Sequence, residues 1–417
     1  MGFLVGVDVG GTFTDVVLAD SQKGVLAVAK VPSTPQNQAL GFVHGLDKAK
    51  VLLPRVDLVM HGTTVATNAV LEGKGGRVGM LVTQGFQDVL EIGRGERTKL
   101  YDLKLRKQPP LVPRSARFGV VERTRPAGAI IEPITREAVR VALARYNGEP
   151  FEAWVVCFLH SYANPSNEKQ AAAYLRELVG ETPITVSSAV VAEYREYERF
   201  STAVLNAILT PLMDRYLGDL ETRLAGRGCR RPLFVMQSSG GIMTARAARR
   251  LPAATILSGP AGGVAGAVAV AVQAGIEDVI TCDMGGTSTD VCLIKGGRAR
   301  HTTEARIAGY PIRLPQVDIV TVGAGGGSIA RVSVGGVLRV GPDSAGAVPG
   351  PACYGISEEA TVTDANLVLN RLDPRKPLSG EIELHPERAR RAVEALGTKL
   401  GALDVLENLS HRGLTNV

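Results

Sequence analysis

The chain begins with two short apolar runs that flank a compact polar turn. Phe3–Val9 and residues 16–19 have the length and the β-branched content of strands, and only the polar residues 10–15 lie between them. That spacing leaves no room for a helix, so the pattern predicts a hairpin. Farther along, segments with helical periodicity alternate with short apolar runs, an order typical of layered α/β architectures.

The same pattern predicts helices at residues 37–50, 65–72, 193–217 and 258–273, and strands at residues 58–61, 78–82, 154–159, 184–187, 233–237 and 318–322. Residues 100–133 are rich in proline and arginine and weakly periodic, so we interpret them as an excursion from the first domain. At 417 residues the chain exceeds one typical core. We expect a first lobe at residues 1–185, a second lobe at residues 186–400 and a polar tail at residues 401–417.

The polar turn occurs twice, as DVGGTFTD from Asp8 and as DMGGTSTD from Asp283. Glycines let backbone N–H groups converge on an anion, threonine hydroxyls add donors, and an aspartate at a strand end can hold a hydrated Mg²⁺. The alternative is a duplicated hairpin whose glycines serve only the turn geometry. Geometry alone requires neither the aspartates nor both threonines. We therefore favour two turns that clamp one polyphosphate.

Two other nucleotide-binding motifs do not fit the chain. No GxxxxGK[ST] loop occurs, and each polar turn is followed by a strand rather than a helix. The stretch GAGGGS, which starts at Gly323, follows an apolar strand but lacks the GxGxxG spacing of a dinucleotide site.

Composition and charge narrow the function classes. The net charge is +6, so basic runs form either a solvated surface or an anion-binding face, but only 5 % of residues are aromatic and no nucleic-acid-reading motif accompanies the charge. We do not expect nucleic acid as a partner. The 5 cysteines show no CxxC spacing, no apolar run reaches membrane-spanning length, and the start lacks a basic leader. We expect a reduced, cytoplasmic protein that does not contact membranes.

A set of segments along the chain carries a resemblance to a known family: DVGGTFTDVVLAD, HGTTVATNAVLEGKGGRVGMLVTQGFQDVLEIGR, EYREYERFSTAVLNAIL, MQSSGGIM, SGPAGGVAGAVAVA, CDMGGTSTDVCLI, TVGAGGGSIA, GPDSAGAVPGPACYG and TVTDANLVLNRL. They resemble the A component of the hydantoinase/oxoprolinase family, within the superfamily of actin-like proteins, sugar kinases and heat-shock ATPases. The resemblance implies a two-lobed actin-like (ribonuclease H-like) α/β fold with duplicated phosphate-binding hairpins. Family A chains continue well past TVTDANLVLNRL, so we expect this chain to be shortened at its C-terminus.

The resemblance also implies the cofactors ATP and Mg²⁺ and the residues that hold them. Asp8 and Asp283 are the expected metal ligands, and Asp15 and Asp290 are expected to orient threonines or an attacking water. The expected ATP contacts are Gly10, Gly11, Thr12, Thr14, Gly285, Gly286, Thr287 and Thr289 in the turns, and Gly323, Gly325, Gly326 and Gly327 in an adenosine loop.

A second group of candidates follows the strand that ends near His61. Thr63, Thr64 and Asn68 stand at its strand-to-helix junction, where clefts of α/β proteins form. We expect a catalytic role for His61 and substrate contacts from the other three. The alternative is that a threonine caps the helix and that His61 is a core histidine.

Three further residues are candidate substrate contacts. Arg94 is either an anion clamp or a surface arginine. Ser238 and Ser239 lie in a turn that the family places at its cleft, but no histidine–acid pair nearby supports a serine nucleophile.

The function implied by the resemblance is ATP-dependent activation of a cyclic amide or imide carbonyl, as in 5-oxoproline or an N-substituted hydantoin, by phosphorylation for ring opening. A separate B component is the expected partner, and a homo-oligomer is also compatible. One alternative is the ATP-using subunit of an acetone or acetophenone carboxylase. A second alternative is an actin-like scaffold switched by ATP, which would ignore small carbonyl compounds.

Overall fold

A computed structural model of the chain describes residues 2–400 except residues 12, 35, 97–100, 102–103, 105–107, 145, 347 and 379–381. Contacts divide the chain into two compact units. Unit 1 draws on Met1–Leu52, Gly259–Arg300 and the described part of Val317–Val417, and unit 2 consists of Leu53–Ser258 and His301–Gln316.

The α-helices are α1 (Gln38–Lys48), α2 (Val65–Leu71), α3 (Val89–Ile92), α4 (Arg136–Leu143), α5 (Ser166–Val179), α6 (Ser187–Val190), α7 (Glu196–Gly226), α8 (Ala245–Arg250), α9 (Ser258–Gln273), α10 (Val362–Val368) and α11 (Pro386–Leu400). Within the described ranges, no helix combines the length and the apolar content needed to cross a membrane.

The strands are β1 (Phe3–Val9), β2 (Phe13–Asp20), β3 (Gly24–Pro32), β4 (Val56–Thr63), β5 (Val78–Thr83), β6 (Arg117–Val120), β7 (Arg123–Thr124), β8 (Ile130–Glu132), β9 (Ala153–Cys157), β10 (Ile184–Val186), β11 (Leu233–Met236), β12 (Ile242–Thr244), β13 (Val279–Met284), β14 (Thr289–Lys295), β15 (Arg298–Ala299), β16 (His301–Thr302), β17 (Ala305–Ile307), β18 (Tyr310–Ile312), β19 (Gln316–Val317), β20 (Ile319–Val322), β21 (Ser328–Val332) and β22 (Leu338–Ser344).

Two antiparallel sheets of unit 1 carry the polar turns, and each begins with a hairpin. The first has the order β1–β2–β3. Helix α1 packs so closely against it that a Cβ at Gly45 would lie only 2.5 Å from Val16 Cγ2. The second joins β13, β14 and β20. α9 covers one face of this second sheet, where Val264 packs with Cys292 and Ile294 in a buried cluster.

The opposite face of the second sheet is apolar and open to solvent. The register pairs Ile280 with Leu293 and Val291 with Val320, and because side chains alternate along a strand these four share one face. Ile280, Leu293 and Val320 are 68 %, 56 % and 61 % exposed. Single exposed apolar side chains are ordinary, whereas a contiguous set is not.

Unit 2 is built on a parallel sheet with the strand order β10–β9–β5–β6. Every residue of β5 and β9 is buried, as expected for parallel strands that are covered on both faces. From β5 the chain moves to β6 on one side and then returns to β9 on the other, so the strand order reverses between β5 and β9. The carboxyl ends of β5 and β9 therefore border the crevice in which open α/β sheets bind ligands.

Most predicted elements occur within a few residues of their expected bounds, but one prediction differs from the structure. Residues 100–133 are not wholly an excursion, because β6 lies within them and pairs with β5 in the sheet of unit 2. The expected lobes at residues 1–185 and 186–400 stay a prediction. By contact, both polar turns belong to unit 1.

Candidate functional site

The two polar turns of unit 1 share a strand register and a closing hydrogen bond. Asp8 faces Asp15 across the first hairpin, and Asp283 faces Asp290 across the second. Each turn is closed by the same hydrogen bond, from Gly10 N–H to Phe13 O at 3.0 Å and from Gly285 N–H to Ser288 O at 2.9 Å. The sequence repeat is therefore also a repeat of strand register.

The second glycine of each turn carries the amide that is open to a ligand. Gly11 and Gly286 are exposed, and their N–H groups donate no backbone hydrogen bond within the described residues. Thr287 is exposed beside Gly286, whereas its counterpart Thr12 lies outside the described residues. Gly10 and Gly285 use their N–H groups to close the turns, so Gly11, Gly286 and Thr287 are the described groups best placed to meet phosphate oxygens.

The last threonine of each turn points inward, which contradicts its expected role in binding ATP. Thr14 and Thr289 are both 0 % exposed. Thr14 Oγ1 lies 3.0 Å from Ser33 Oγ, and Thr289 Oγ1 donates to Ala324 O at 2.5 Å. These hydroxyls tie each hairpin to a neighbouring segment, because a buried hydroxyl needs a hydrogen-bond partner.

Asp8 and Asp283 are exposed and form no hydrogen bond or ion pair with the described part of the chain. Partial desolvation raises the pKa of Asp8, and the charges of Asp15 and Asp283 raise it further. Desolvation likewise raises the pKa of Asp290. The hydrogen bond from Thr321 lowers this pKa, and the charge of Asp283 raises it. The hairpin carboxylates therefore repel one another, and a cation would relieve that repulsion.

These carboxylates suit a hydrated Mg²⁺ better than a fully coordinated metal. No cluster of three or more His, Cys, Asp or Glu ligands occurs in the described ranges. Mg²⁺ commonly keeps several waters and takes only one or two protein carboxylates. Asp8 and Asp283, which have no other partners among the described residues, fit that role.

The two turns differ at one cross-strand position. Asp15 faces Lys30 on β3, and Lys30 Nζ donates to both carboxylate oxygens at 2.8 and 2.7 Å. Asp290 faces Thr321 on β20, which donates one hydrogen bond at 2.5 Å. Asp15 is thus paired with a cation, whereas the partner of Asp290 across the strands is a neutral hydroxyl.

The start of α9 runs alongside the hairpin carboxylates. A Cβ at Gly259 would lie 3.4 Å from Asp8 Oδ1, and one at Gly263 would lie 3.9 Å from Asp283 Oδ2. Residues four apart share a helix face. Two glycines on that face leave room for water or an ion beside the carboxylates.

The glycine-rich loop after β20 donates hydrogen bonds to the second turn. The sequence predicted an adenosine loop here and not this support of the turn. Gly326 N–H donates to Gly285 O at 2.9 Å and Gly327 N–H donates to Gly286 O at 2.6 Å, while Gly325 N–H donates to Ser328 Oγ. These N–H groups already donate within the chain, so they are not free to donate to ATP. Gly323 alone among the expected contacts of this loop has open space around it.

His61 is a buried core histidine, so its expected catalytic role is not supported. Its side chain is 0 % exposed, and Nε2 lies 2.8 Å from the hydroxyl of Tyr216 on α7. The 155-residue separation between them hid this pairing from sequence patterns.

We expect Tyr216→Phe to lower the free energy of unfolding by about 1–2 kcal/mol, because it leaves His61 Nε2 without this buried hydrogen bond. Mg-ATP binding should not change. Urea unfolding and calorimetric titration measure the two quantities. Tyr194→Phe is the control, because Tyr194 is 65 % exposed and its loss should cost less than about 0.5 kcal/mol. If Tyr216→Phe left the stability unchanged but slowed catalysis, the result would support a catalytic role for His61.

The junction between β4 and α2 forms hydrogen bonds with Leu257 and Ser258, which lie at the start of α9. Thr63 is buried, its carbonyl accepts from Ser258 Oγ at 3.0 Å and its hydroxyl accepts from Val65 N–H. Thr67 Oγ1 accepts from the N–H of Leu257, whose φ is +58°. Thr67 and Ser258 were not singled out from the sequence, although both lie in segments that carry the family resemblance. Thr63 therefore acts within the structure rather than at an open substrate site.

Thr64 and Asn68 are half-buried at this junction, where Asn68 Nδ2 donates to Thr64 Oγ1 at 3.3 Å. Ser238 is buried, with its hydroxyl 2.8 Å from Ala254 O and 2.5 Å from Ile256 O. Ser239 Oγ donates to Gln237 Oε1. Ser238 thus stabilises a turn, whereas Thr64, Asn68 and Ser239 remain predicted substrate contacts.

Arg94 is neither a free anion clamp nor an unpaired surface arginine. It donates to both carboxylate oxygens of Glu198, at 2.8 and 2.7 Å. Arg94 borders two cavities of unit 2, of about 580 and 600 Å³, which share Tyr197 as a wall.

The features of unit 1 define an α/β protein of the actin-like class with duplicated hairpins. Family models match the chain over two ranges: the hydantoinase/oxoprolinase N-terminal region over residues 4–179, and the hydantoinase/oxoprolinase model over residues 199–412. The chain belongs to the hydantoinase/oxoprolinase family.

Similar proteins support the same assignment. The chain is 39 % identical over 404 residues to caprolactamase subunit alpha of Pseudomonas jessenii. The aligned region covers 94 % of this chain and 58 % of that subunit. It is 34 % identical over 422 residues to the acetophenone carboxylase gamma subunit of Aromatoleum aromaticum. That alignment covers 95 % of this chain and 57 % of the gamma subunit.

A solved structure confirms the fold expected from the sequence. The crystal structure of the ATP-dependent caprolactamase from Pseudomonas jessenii matches with a TM-score of 0.84 at 37 % identity, over 99 % of this chain and 61 % of that chain. The chain thus spans about three fifths of the length of these relatives.

Proposed function

We propose that the hairpins of unit 1 bind Mg-ATP and that the chain is the ATP-using part of an enzyme that activates a small carbonyl compound. The observation that carries this proposal is the pair of turns that share one register and one closing hydrogen bond, with aspartates that have no partner among the described residues. Exposed amides at Gly11 and Gly286 suit phosphate oxygens. Asp8 and Asp283 would hold the Mg²⁺, which when bound would neutralise charge on the phosphates.

The favoured substrate class is a cyclic amide or imide, and the likeness to an ATP-dependent caprolactamase supports it. An amide carbonyl is a poor electrophile. Attack of its oxygen on the γ-phosphorus would transfer the phosphoryl group and release ADP. Water then adds to the carbon, the ring C–N bond breaks to give an amine and an acyl phosphate, and a second water releases phosphate.

Among the hairpin residues, Asp290 is the candidate for orienting water, because it is not neutralised by a lysine as Asp15 is. Gly11, Gly286 and Thr287 would position the phosphates, and catalysis would rest mainly on that positioning and on charge neutralisation.

A ketone is the second candidate substrate, because the chain is also similar to an acetophenone carboxylase subunit. The ketone oxygen would take the γ-phosphoryl group while an α-proton leaves, which gives an enol phosphate and ADP. The α-carbon would then form a C–C bond to the carbon of bicarbonate, and phosphate would be released. The relatives are named as subunits, so we propose that a B-type component completes either reaction.

The proposal is tested by measuring ADP release from the chain together with a B-type component. The substrates are 5-oxoproline, N-methylhydantoin, caprolactam, and acetophenone with bicarbonate. Stimulation by a cyclic amide supports the hydrolase, and stimulation by the ketone alone supports the carboxylase. ATP hydrolysis that no carbonyl compound alters would contradict both and favour an ATP-switched scaffold.

We expect Asp290→Asn to lower the rate of substrate-stimulated ADP release by about 10²-fold or more, because it removes a charged group that orients the attacking water. Mg-ATP affinity should change little. Asp15→Asn is the matched variant at the equivalent position, and its effect should be smaller because Lys30 already neutralises Asp15. Equal rate losses in the two variants would show that the hairpins do not differ in this way.

A further inference from the structure

A cavity of about 600 Å³ lies at the carboxyl edge of the parallel sheet in unit 2. Gly85 and Phe86 line it after β5, and Leu159 and His160 line it after β9, the strands between which the order reverses. Open α/β sheets bind ligands at this place, and sites for small molecules measure about 300–1,000 Å³. Its lining residues all belong to unit 2, whereas the hairpin aspartates belong to unit 1.

The cavity is lined by two arginines, Arg94 and Arg123, and by two carboxylates, Asp88 and Glu196. Arg94 is paired with Glu198, and Asp88 Oδ1 lies 2.7 Å from Arg114 Nε. Arg123 also lines the cavity, and no ion pair to it occurs within the described ranges. Its guanidinium instead lies over the ring of Phe86, 5.2 Å from the centroid.

The contact with Phe86 holds the guanidinium without cancelling its charge. A cation–π contact restricts the side chain but leaves its N–H groups free for an oxygen ligand. The neighbouring Glu122 carboxylate is buried and accepts hydrogen bonds from Thr83 and Asn167. A planar guanidinium that is already positioned suits a carboxylate, which it can bind through two parallel hydrogen bonds.

His160 supplies a second polar group at the same edge. Its φ is +54°, and its Nδ1 is buried without a hydrogen-bond partner, 3.9 Å from Glu196 Oε1. Buried polar atoms of proteins are nearly always hydrogen-bonded. A ligand or a water that the ligand holds would supply the missing partner.

We propose that this cavity binds a small molecule that carries a carboxylate, with Arg123 as the carboxylate-binding group and His160 as a second polar contact. Its lining residues belong to a different unit from the hairpins, and the proposal does not depend on the proposed reaction.

Calorimetric titration of the whole chain tests the proposal with acetate, glutarate and benzoate, each beside its neutral amide and at fixed ionic strength. We expect at least one carboxylate to bind saturably with one site, at least about tenfold more tightly than its amide. Arg123→Gln should weaken that binding about tenfold or more and remove the preference over the amide. Arg123→Lys, which keeps the charge, should retain most of that preference.

Arg136→Gln is the matched control, because Arg136 also lies over an aromatic ring, that of Tyr174 at 5.7 Å, but does not line the cavity. It should bind the carboxylate as the unaltered chain does. Absence of saturable binding to every probe, or equal binding by Arg123→Gln and the unaltered chain, would overturn the proposal. Asp8→Ala, Asp283→Ala should bind the carboxylate normally, so failure of the ATP proposal and failure of this one are distinguishable.

Discussion

The double variant Asp8→Ala, Asp283→Ala should lose Mg-ATP binding and keep its fold. Both carboxylates are exposed and have no hydrogen bond or ion pair within the described residues, so their removal costs the folded chain little. Each charge-assisted interaction is worth about 1.5–3 kcal/mol, so the loss of two lowers affinity by at least about a hundredfold.

Calorimetric titration with Mg-ATP measures the affinity, and thermal unfolding measures the stability. The melting temperature should stay the same or rise, because the variant removes like charges that raise the pKa of Asp8. Asp57→Ala, Glu72→Ala is the control, since it removes the same charge from exposed ion pairs. One-site binding that survives in the Asp8, Asp283 variant would mean that the repeated turn is not the nucleotide site.

Gly325→Ala should disrupt the second turn from outside it. A Cβ at this position would lie 2.7 Å from Ser288 N and 2.8 Å from Gly285 O, and both of those atoms are backbone. Backbone cannot give way as a flexible side chain does, so the turn must shift. We expect the free energy of unfolding to fall by about 1–3 kcal/mol and Mg-ATP affinity to fall with it.

Gly323→Ala provides a control in the same loop, because a Cβ there meets nothing within 4 Å. It should match the unaltered chain in urea unfolding. If Gly325→Ala weakened the fold without weakening nucleotide binding, the second turn would not contribute to the nucleotide site.

The hairpins were predictable because their determinants are local. Glycine, aspartate and threonine at fixed offsets specify the turn, and the shared spacing of both copies carries through to a shared register of Asp8 with Asp15 and of Asp283 with Asp290. Helix α9 was predicted with its observed bounds, because Gly259-Pro260 mark its start and small apolar residues continue it.

Side-chain directions depended on partners far away in sequence. The burial of the Thr14 and Thr289 hydroxyls is set by Ser33 and by the carbonyl of Ala324, at separations of 19 and 35 residues. The local sequence pattern predicts a threonine hydroxyl at the turn, but it does not show which distant residue buries that hydroxyl.

Strand β6 was missed because a buried arginine made its segment look like surface. Arg117 is only 3 % exposed, and its guanidinium donates to Val112 O, Gln87 O and Glu91. Burial of a charge is tolerated when every side of it is paired, and that pairing is visible only in the folded chain.

The open face of the β13–β14–β20 sheet has a consequence for handling the protein. Ile280, Leu293 and Val320 present apolar surface to water, and water favours the association of such surfaces more strongly in sulfate and phosphate and less strongly in the cold. Precipitation with ammonium sulfate should therefore begin at low salt. Cold, dilute, sulfate-free buffers are the conditions in which the isolated chain should stay monodisperse.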